Sequence, residues 1–267
     1  MDMRSDGRPI GIFDSGIGGF SVLREVHAML PTESILYVAD HRYAPYGDRT
    51  LEEVADRAIQ ISGQLIEAGV KLVAVACNSA SAAALHRLRA TYPATPFVGM
   101  EPAVKPAALH STTGVIGVLA TAATFQGALF ASVVDRHANG VSIVPIVGSG
   151  LAAAVEAGNA TSPEVKELLR RYLTPALDAG MDTLVLGCTH YSFLGDAIAT
   201  IAGDSVTVVD PAPAVARQVG RLLEIHGLAA GLDGPGGLRL ATTGSPDQLQ
   251  THAVDRLHLD EPEIHRW

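Results

Sequence analysis

Two stretches of this chain read as copies of one another. Glu67-Ala68-Gly69-Val70-Lys71-Leu72-Val73-Ala74-Val75-Ala76-Cys77 aligns without a gap on Asp178-Ala179-Gly180-Met181-Asp182-Thr183-Leu184-Val185-Leu186-Gly187-Cys188. Each has an acidic residue, an Ala-Gly helix stop, one apolar and one polar residue, a buried-strand run and a terminal cysteine. A weaker match precedes each copy. Ile10-Gly11-Ile12-Phe13 resembles Ile116-Gly117-Val118-Leu119, and a loop with hydroxyl side chains follows both. A repeat of this kind limits the chain to two similar α/β halves.

The rest of the pattern agrees. Phe20, Leu23, Val26 and Leu30 recur at helical spacing until Pro31, and 35–39 reads as a strand. Residues 40–49 have loop chemistry. Thr50 followed by Glu53 is a capping-box signal for a helix to Ala68. A helix follows Cys77 to about Arg89, and strands are expected at 97–99, 115–119 and 141–146. Ser162-Pro163 is an N-cap with proline at the first helical position, opening a helix to about Ala179. A strand at 183–187, another at 206–209, a helix at 214–224, a strand near 238–241 and a last helix complete the chain. Alternating strands and helices imply mostly parallel sheets flanked by helices. Hydrophobic residues make up 48% of the chain and aromatic residues 5%, which suits small-residue strands buried between helices.

The formal net charge is −9, and no Lys/Arg run offsets it, so a nucleic-acid partner is disfavoured. The first nine residues lack the apolar core of a signal peptide, and no apolar stretch is long enough to span a bilayer without a charge. Cys77 and Cys188 are the only cysteines, too few for a secreted disulfide framework. The expectation is a cytoplasmic protein with both thiols reduced.

Each cysteine ends a strand, where open α/β sheets bind ligands. Each is expected just before a helix, whose N-terminus favours a thiolate. Asn78-Ser79 and Thr189-His190 follow them and, with backbone N–H groups, can hold a carboxylate. A lone cysteine after an apolar strand is ordinarily an inert core residue; the matched placement of two argues for chemistry. Two similar halves can set their thiols on opposite sides of one cleft, so that one removes a proton from carbon and the other returns one. Neither cysteine has a second Cys or His at close ligand spacing, so no metal is expected.

Gly11-Ile12-Phe13-Asp14-Ser15-Gly16-Ile17-Gly18-Gly19, Pro45-Tyr46-Gly47, Ala76-Cys77-Asn78-Ser79-Ala80-Ser81 and Gly187-Cys188-Thr189-His190-Tyr191 closely resemble the motifs of the glutamate racemase family. Gly117-Val118-Leu119-Ala120-Thr121 and Thr242-Thr243-Gly244 extend the match over nearly the whole chain, in order. The resemblance implies cofactor-independent interconversion of L- and D-glutamate, with D-glutamate feeding peptidoglycan synthesis. By analogy Cys77 deprotonates D-glutamate and Cys188 deprotonates L-glutamate, assisted by Asp14 and His190. Asp14, Ser15, Tyr46, Gly47, Asn78, Ser79, Thr189 and His190 match substrate-binding positions. The family pattern also implies two α/β domains, here 1–98 plus 209–267 and 99–208, and often a homodimer. Some members inhibit DNA gyrase, but nothing in these residues supports that partner.

Other readings of the same residues remain. Asp14 is also placed to cap a helix, His190 to pack at a domain interface, and Tyr46 to pack a loop; Ser79 and Thr189 are common N-caps. The loop at 16–19 lacks the lysine of a P-loop and the spacing of a dinucleotide fingerprint. Ser79 stands where the family usually has Thr, and Met100 where it has Ile. Glu156 resembles a family glutamate near the active site, although Gly148-Ser149-Gly150 before it departs from the usual pattern. Residues 1–8 precede the match and are expected to be flexible. The competing functions are racemisation of another acidic amino acid such as aspartate, a one-thiol decarboxylase, a cysteine hydrolase, and a non-catalytic binding protein.

Overall fold

The computed structural model describes residues 5–138, 140–231, 234–260 and 262–267. The chain begins with β1 (Ile10–Asp14), α1 (Phe20–Met29), β2 (Ile35–Ala39), α2 (Leu51–Glu67), β3 (Leu72–Val75), α3 (Asn78–Thr91) and β4 (Phe97–Gly99). It continues through α4 (Val104–His110), β5 (Val115–Ala120), α5 (Ala122–Gln126), α6 (Ala128–His137), β6 (Ser142–Val147), α7 (Leu151–Glu156), α8 (Pro163–Asp178), β7 (Thr183–Gly187), α9 (Gly195–Ala202) and β8 (Thr207–Val209). It ends with α10 (Ala212–His226), β9 (Leu238–Thr242), α11 (Pro246–Leu257) and β10 (Ile264–Arg266).

Two parallel sheets result, ordered β10-β9-β2-β1-β3-β4 and β6-β5-β7-β8. The sequence repeat is visible in their register. Ile10 sits between Ile35 and Leu72, and Ile116 sits between Ile143 and Thr183. The order β2-β1-β3-β4 thus recurs as β6-β5-β7-β8, and Cys77 and Cys188 follow equivalent strands. Beyond the repeat, β9 pairs with β2 and returns the end of the chain to the first sheet.

Successive strand residues face opposite layers. Ile10 and Ile12 of β1 pack in one apolar core, while Phe13 belongs to another with Ile61 and Leu65 of α2. The first core runs without a break from α1 and α10 through Leu151 and Val155 of α7 to Leu169 and Leu173 of α8. One body of buried side chains therefore joins the two sheets, and the loops beyond their C-terminal strand ends meet.

Three features differ from the sequence reading. A short strand, β10, follows the last helix, and Trp267 N–H donates to the Thr242 carbonyl (2.9 Å). Cys188 is followed by a 3-10 segment, Thr189–Leu194, before α9 begins. Of the N-terminal residues expected to be flexible, Met1–Arg4 lie outside the described residues. Asp6, in contrast, is tied down: its N–H donates to the Ala229 carbonyl (3.1 Å), and its own carbonyl accepts from Lys71 Nζ (2.6 Å).

Candidate active site

The loops after β1, β3 and β7 close on one small pocket. Cys77, Asn78 and Ser79 form one part of its wall, and Cys188, Thr189 and His190 another. Ser15, Tyr46, Gly47 and Thr121 complete the polar lining. The pocket is shut, for the two thiols are only 5% and 7% exposed. Gly47 is required where it stands, because a Cβ there would come within 2.6 Å of Thr121 Cγ2.

Asp14 stands one layer back and is fully buried. Its Oδ2 accepts from Gly19 N–H (2.8 Å) and Gly16 N–H (3.4 Å), so it does serve the loop turn. Burial pushes its carboxyl up, against the pull of His190 and the Gly19 hydrogen bond. Burial likewise pushes the Cys77 thiol well up, and the charge of Asp14 adds to that shift. Ala80 N–H donates to Cys77 Sγ (3.5 Å) at the start of α3. This helix-end contact pulls the thiol down, as the sequence suggested, but burial and Asp14 outweigh it.

Cys188 has a different neighbour. Its sulfur lies 3.7 Å from His190 Nδ1, and His190 Nε2 lies 2.5 Å from Glu156 Oε1. Burial pulls His190 down, yet its contacts with Cys188 and Glu156 prevail and raise it well above the ordinary histidine value. Burial pushes Glu156 up, yet its hydrogen bond with His190 and its close pairing with His41 prevail and hold its carboxyl well below the usual range. The result is a buried carboxylate paired with an imidazolium that faces a thiol.

The polar wall carries unused capacity. Among the described residues, neither Asn78 Oδ1 nor Nδ2 finds a partner, although both are buried. A buried amide left unpaired costs free energy, and a polar ligand in the pocket removes that cost. Ser79 Oγ and Thr121 Oγ1 lie 3.0 Å apart and supply hydroxyls beside it. Tyr46 turns its hydroxyl away from the pocket and donates it to Asp40 Oδ2 (2.5 Å). Asp40 also holds Arg57 and Thr243, so this network braces the loop that carries Tyr46 and Gly47.

Every residue singled out in the sequence lies at this pocket or, for Asp14, directly behind it. Glu156 joins them through His190. Three participants were not singled out: Thr121, which ends a motif of the family match, and Asp40 and His41, which lie in the segment read only as loop. Among the described residues there is no cluster of His, Cys, Asp and Glu suited to a metal ion. No helix among them is long and apolar enough to cross a membrane.

Two repeated α/β sheets that bring one thiol each to a shared, polar-walled pocket are the architecture of an amino-acid racemase, an isomerase. The family model for Asp/Glu/hydantoin racemases matches residues 15–219, and the chain belongs to that family. It is 49% identical over 253 residues to a glutamate racemase of Roseiflexus sp. (strain RS-1), spanning 94% of this chain and 93% of that protein. Its structure is similar to a crystal structure of a glutamate racemase isoform from Bacillus anthracis, with TM-score 0.88, 30% identity and 96% of each chain covered. It is also similar to the glutamate racemase of Francisella tularensis subsp. tularensis SCHU S4 in complex with D-glutamate, with TM-score 0.86, 27% identity and 98% of each chain covered.

Proposed function

We propose that this enzyme interconverts L- and D-glutamate by proton transfer between two thiols, with no cofactor, and that the D-glutamate supplies peptidoglycan synthesis. The observation that carries the reading is the shared pocket: one cysteine from each copy of the repeat, flanked by amide and hydroxyl groups suited to carboxylates. The relatives at high identity are glutamate racemases, and one structural neighbour holds D-glutamate. We read the residues 1–98 plus 209–267 as one catalytic lobe and 99–208 as the other.

In the L-to-D direction Cys188 thiolate takes the α-proton. The Cα–H bond breaks, an S–H bond forms, and the electron pair moves into the α-carboxylate. Asn78, Ser79, Thr121 and Thr189 hold the substrate carboxylates and stabilise the charge that develops. The Cys77 thiol then gives its proton to the opposite face of the same carbon. The D-to-L direction reverses each step. In the free enzyme Cys77 keeps its proton, because burial and Asp14 oppose its ionisation. His190 meanwhile stands as a cation beside Cys188. A proton donor on one face, with a cation beside the sulfur on the other, is the arrangement L-glutamate requires. Asp14 acts through Cys77 and the loop at Gly16 and Gly19, and His190 acts on Cys188 directly.

The decisive experiment is circular dichroism of L-glutamate, then of L-aspartate, with purified enzyme and no added cofactor. Decay of the glutamate signal to zero with aspartate unchanged supports the reading. Decay of aspartate alone would reassign the substrate. Cys77→Ala and Cys188→Ala should each lower racemisation by about 10²–10⁴-fold or more, since inversion needs both faces. Substantial turnover by either variant would refute the two-thiol mechanism.

A further inference from the structure

We propose that His41 is a positioning residue for the Cys188 half of the reaction: it fixes the far oxygen of Glu156, and Glu156 thereby holds His190 against the Cys188 sulfur. The inference rests on the two-thiol reading above. His41 lies in the 3-10 turn His41–Tyr43 after β2, and the pocket wall does not include it. Its side chain is nonetheless buried, 7% exposed, with Nε2 3.2 Å from Glu156 Oε2. Nδ1 lies 3.0 Å from Thr242 Oγ1, at the end of β9.

The geometry leaves His41 few alternatives. Gly244 packs so closely that a Cβ there would come within 2.7 Å of His41 Cβ. The Thr242 hydroxyl oxygen accepts from Gly244 N–H (3.0 Å), so it is itself held in place. A neutral ring that accepts from Thr242 at Nδ1 carries its hydrogen on Nε2. A protonated ring carries one there as well. In both states the hydrogen-bearing Nε2 is in close contact with Glu156, without the alignment of a full hydrogen bond.

Glu156 needs such a partner. It comes from α7, in the segment that holds the second sheet, yet it is received by groups of the first. Oε1 is shared by His190 Nε2 (2.5 Å) and Ile17 N–H (2.8 Å). That leaves Oε2, which is buried, accepts no well-aligned hydrogen bond among the described residues, and has His41 Nε2 3.2 Å away. A carboxylate gripped at one oxygen can still rotate about its last side-chain bond; a ring nitrogen packed against the other oxygen opposes that rotation. Outer partners of this kind set the orientation of the groups that do chemistry. The chain Thr242–His41–Glu156–His190–Cys188 therefore runs from the end of β9 to a reacting sulfur, and it crosses between the two sheets.

Rate alone does not reveal such a role. Enantiomers have equal free energies, so any variant must lose kcat/KM equally in both directions. The primary isotope effect does separate the two thiols. His41→Ala should lower kcat/KM by about 10–100-fold. In ordinary water its isotope effect on kcat/KM should rise with α-deuterated L-glutamate, where Cys188 breaks the labelled bond. The effect should fall towards unity with α-deuterated D-glutamate, where Cys77 breaks it. His41→Gln, which retains an N–H donor, should recover part of the activity and the wild-type isotope effects. Thr242→Val should shift both effects in the same directions as His41→Ala, by less. Isotope effects unchanged from wild type, or moving together for the two enantiomers, would overturn the proposal; if His41→Ala does not fold, Thr242→Val decides it in the same way. Cys188→Ala is assayed alongside. Racemisation by that variant overturns the two-thiol reading itself, whereas an inactive Cys188→Ala beside wild-type isotope effects in the His41 variants removes only the role of His41.

Discussion

Three glycines after β1 let the backbone pass where no side chain fits. A Cβ at Gly16 would collide with the Glu156 carboxylate, one at Gly18 with the His190 ring, and one at Gly19 would lie 2.6 Å from Asp14 Cβ. The loop is thus a template against which the Glu156, His190 and Asp14 side chains are set. Gly18→Ala adds one methyl against His190 and within 2.5 Å of Thr189 Oγ1. Displacing a catalytic group by about 1 Å can cost about 100-fold in rate. We predict a loss of that order in kcat/KM with a melting temperature within a few degrees of wild type, read by circular dichroism of substrate and of protein. Wild-type activity in Gly18→Ala would mean that His190 has room to move. The sequence shows these glycines but not what they face. Cys77, Asn78, Ser79, Cys188, Thr189 and His190 are legible because they follow recognisable strands. His41, Glu156 and Thr242 are far apart in the chain, and only the closed fold makes them neighbours.

At the scale of the element, local signals were strong where capping chemistry was explicit. Thr50 Oγ1 accepts from Glu53 N–H (3.3 Å), and Glu53 Oε2 accepts from Thr50 N–H (3.0 Å), so both halves of the capping box that starts α2 are present. Ser162 caps α8 by accepting from Val165 N–H (3.2 Å), with Pro163 at the first position as the sequence implied. Thr50→Ala should destabilise the protein by about 1 kcal/mol and leave the isotope effects unchanged, since the Thr50 hydroxyl engages Glu53 and is not part of the pocket wall. Chemical denaturation of the variant measures this; a loss near zero would mean that packing alone fixes the helix start. The elements missed were those without such signals. Three residues of β10 are too short to show alternation, and their pairing with β9 is decided by tertiary contacts such as Trp267 Nε1 to Gln64 Oε1 (3.0 Å). The turn after Cys188 reads as helix in sequence, but Thr189–Leu194 winds more tightly as a 3-10 segment.

At the scale of the whole molecule, Glu156 is a latch as well as a relay. It leaves the segment of the second sheet and ends on Ile17, His41 and His190, with a side chain only 13% exposed. Its folded carboxyl is held below the usual range because its hydrogen bond with His190 and its pairing with His41 outweigh burial. The native state therefore binds fewer protons than the unfolded chain once pH falls into the ordinary carboxylate range. The stabilisation is fully present above about pH 4.3 and is lost as pH falls towards the depressed folded value. His190 has the opposite sign: its raised value gives stability that is full at acid pH and lost as pH rises. The acid loss therefore belongs to Glu156 within this pair. At Asp182 burial pushes the carboxyl up, yet hydrogen bonds from Ser111, Thr112 and Thr113 together prevail and hold it low, so it adds an acid slope of its own. That slope is common to wild type and to Glu156→Gln, so the difference between them isolates the latch. Between pH 7 and pH 3 wild type should lose about 1.5–3 kcal/mol more than Glu156→Gln, the range of a charge-assisted hydrogen bond. Urea denaturation at stepwise pH measures both curves. Parallel acid limbs would show that Glu156 does not hold the two halves together, and its contacts with His41 and Ile17 would then serve orientation alone.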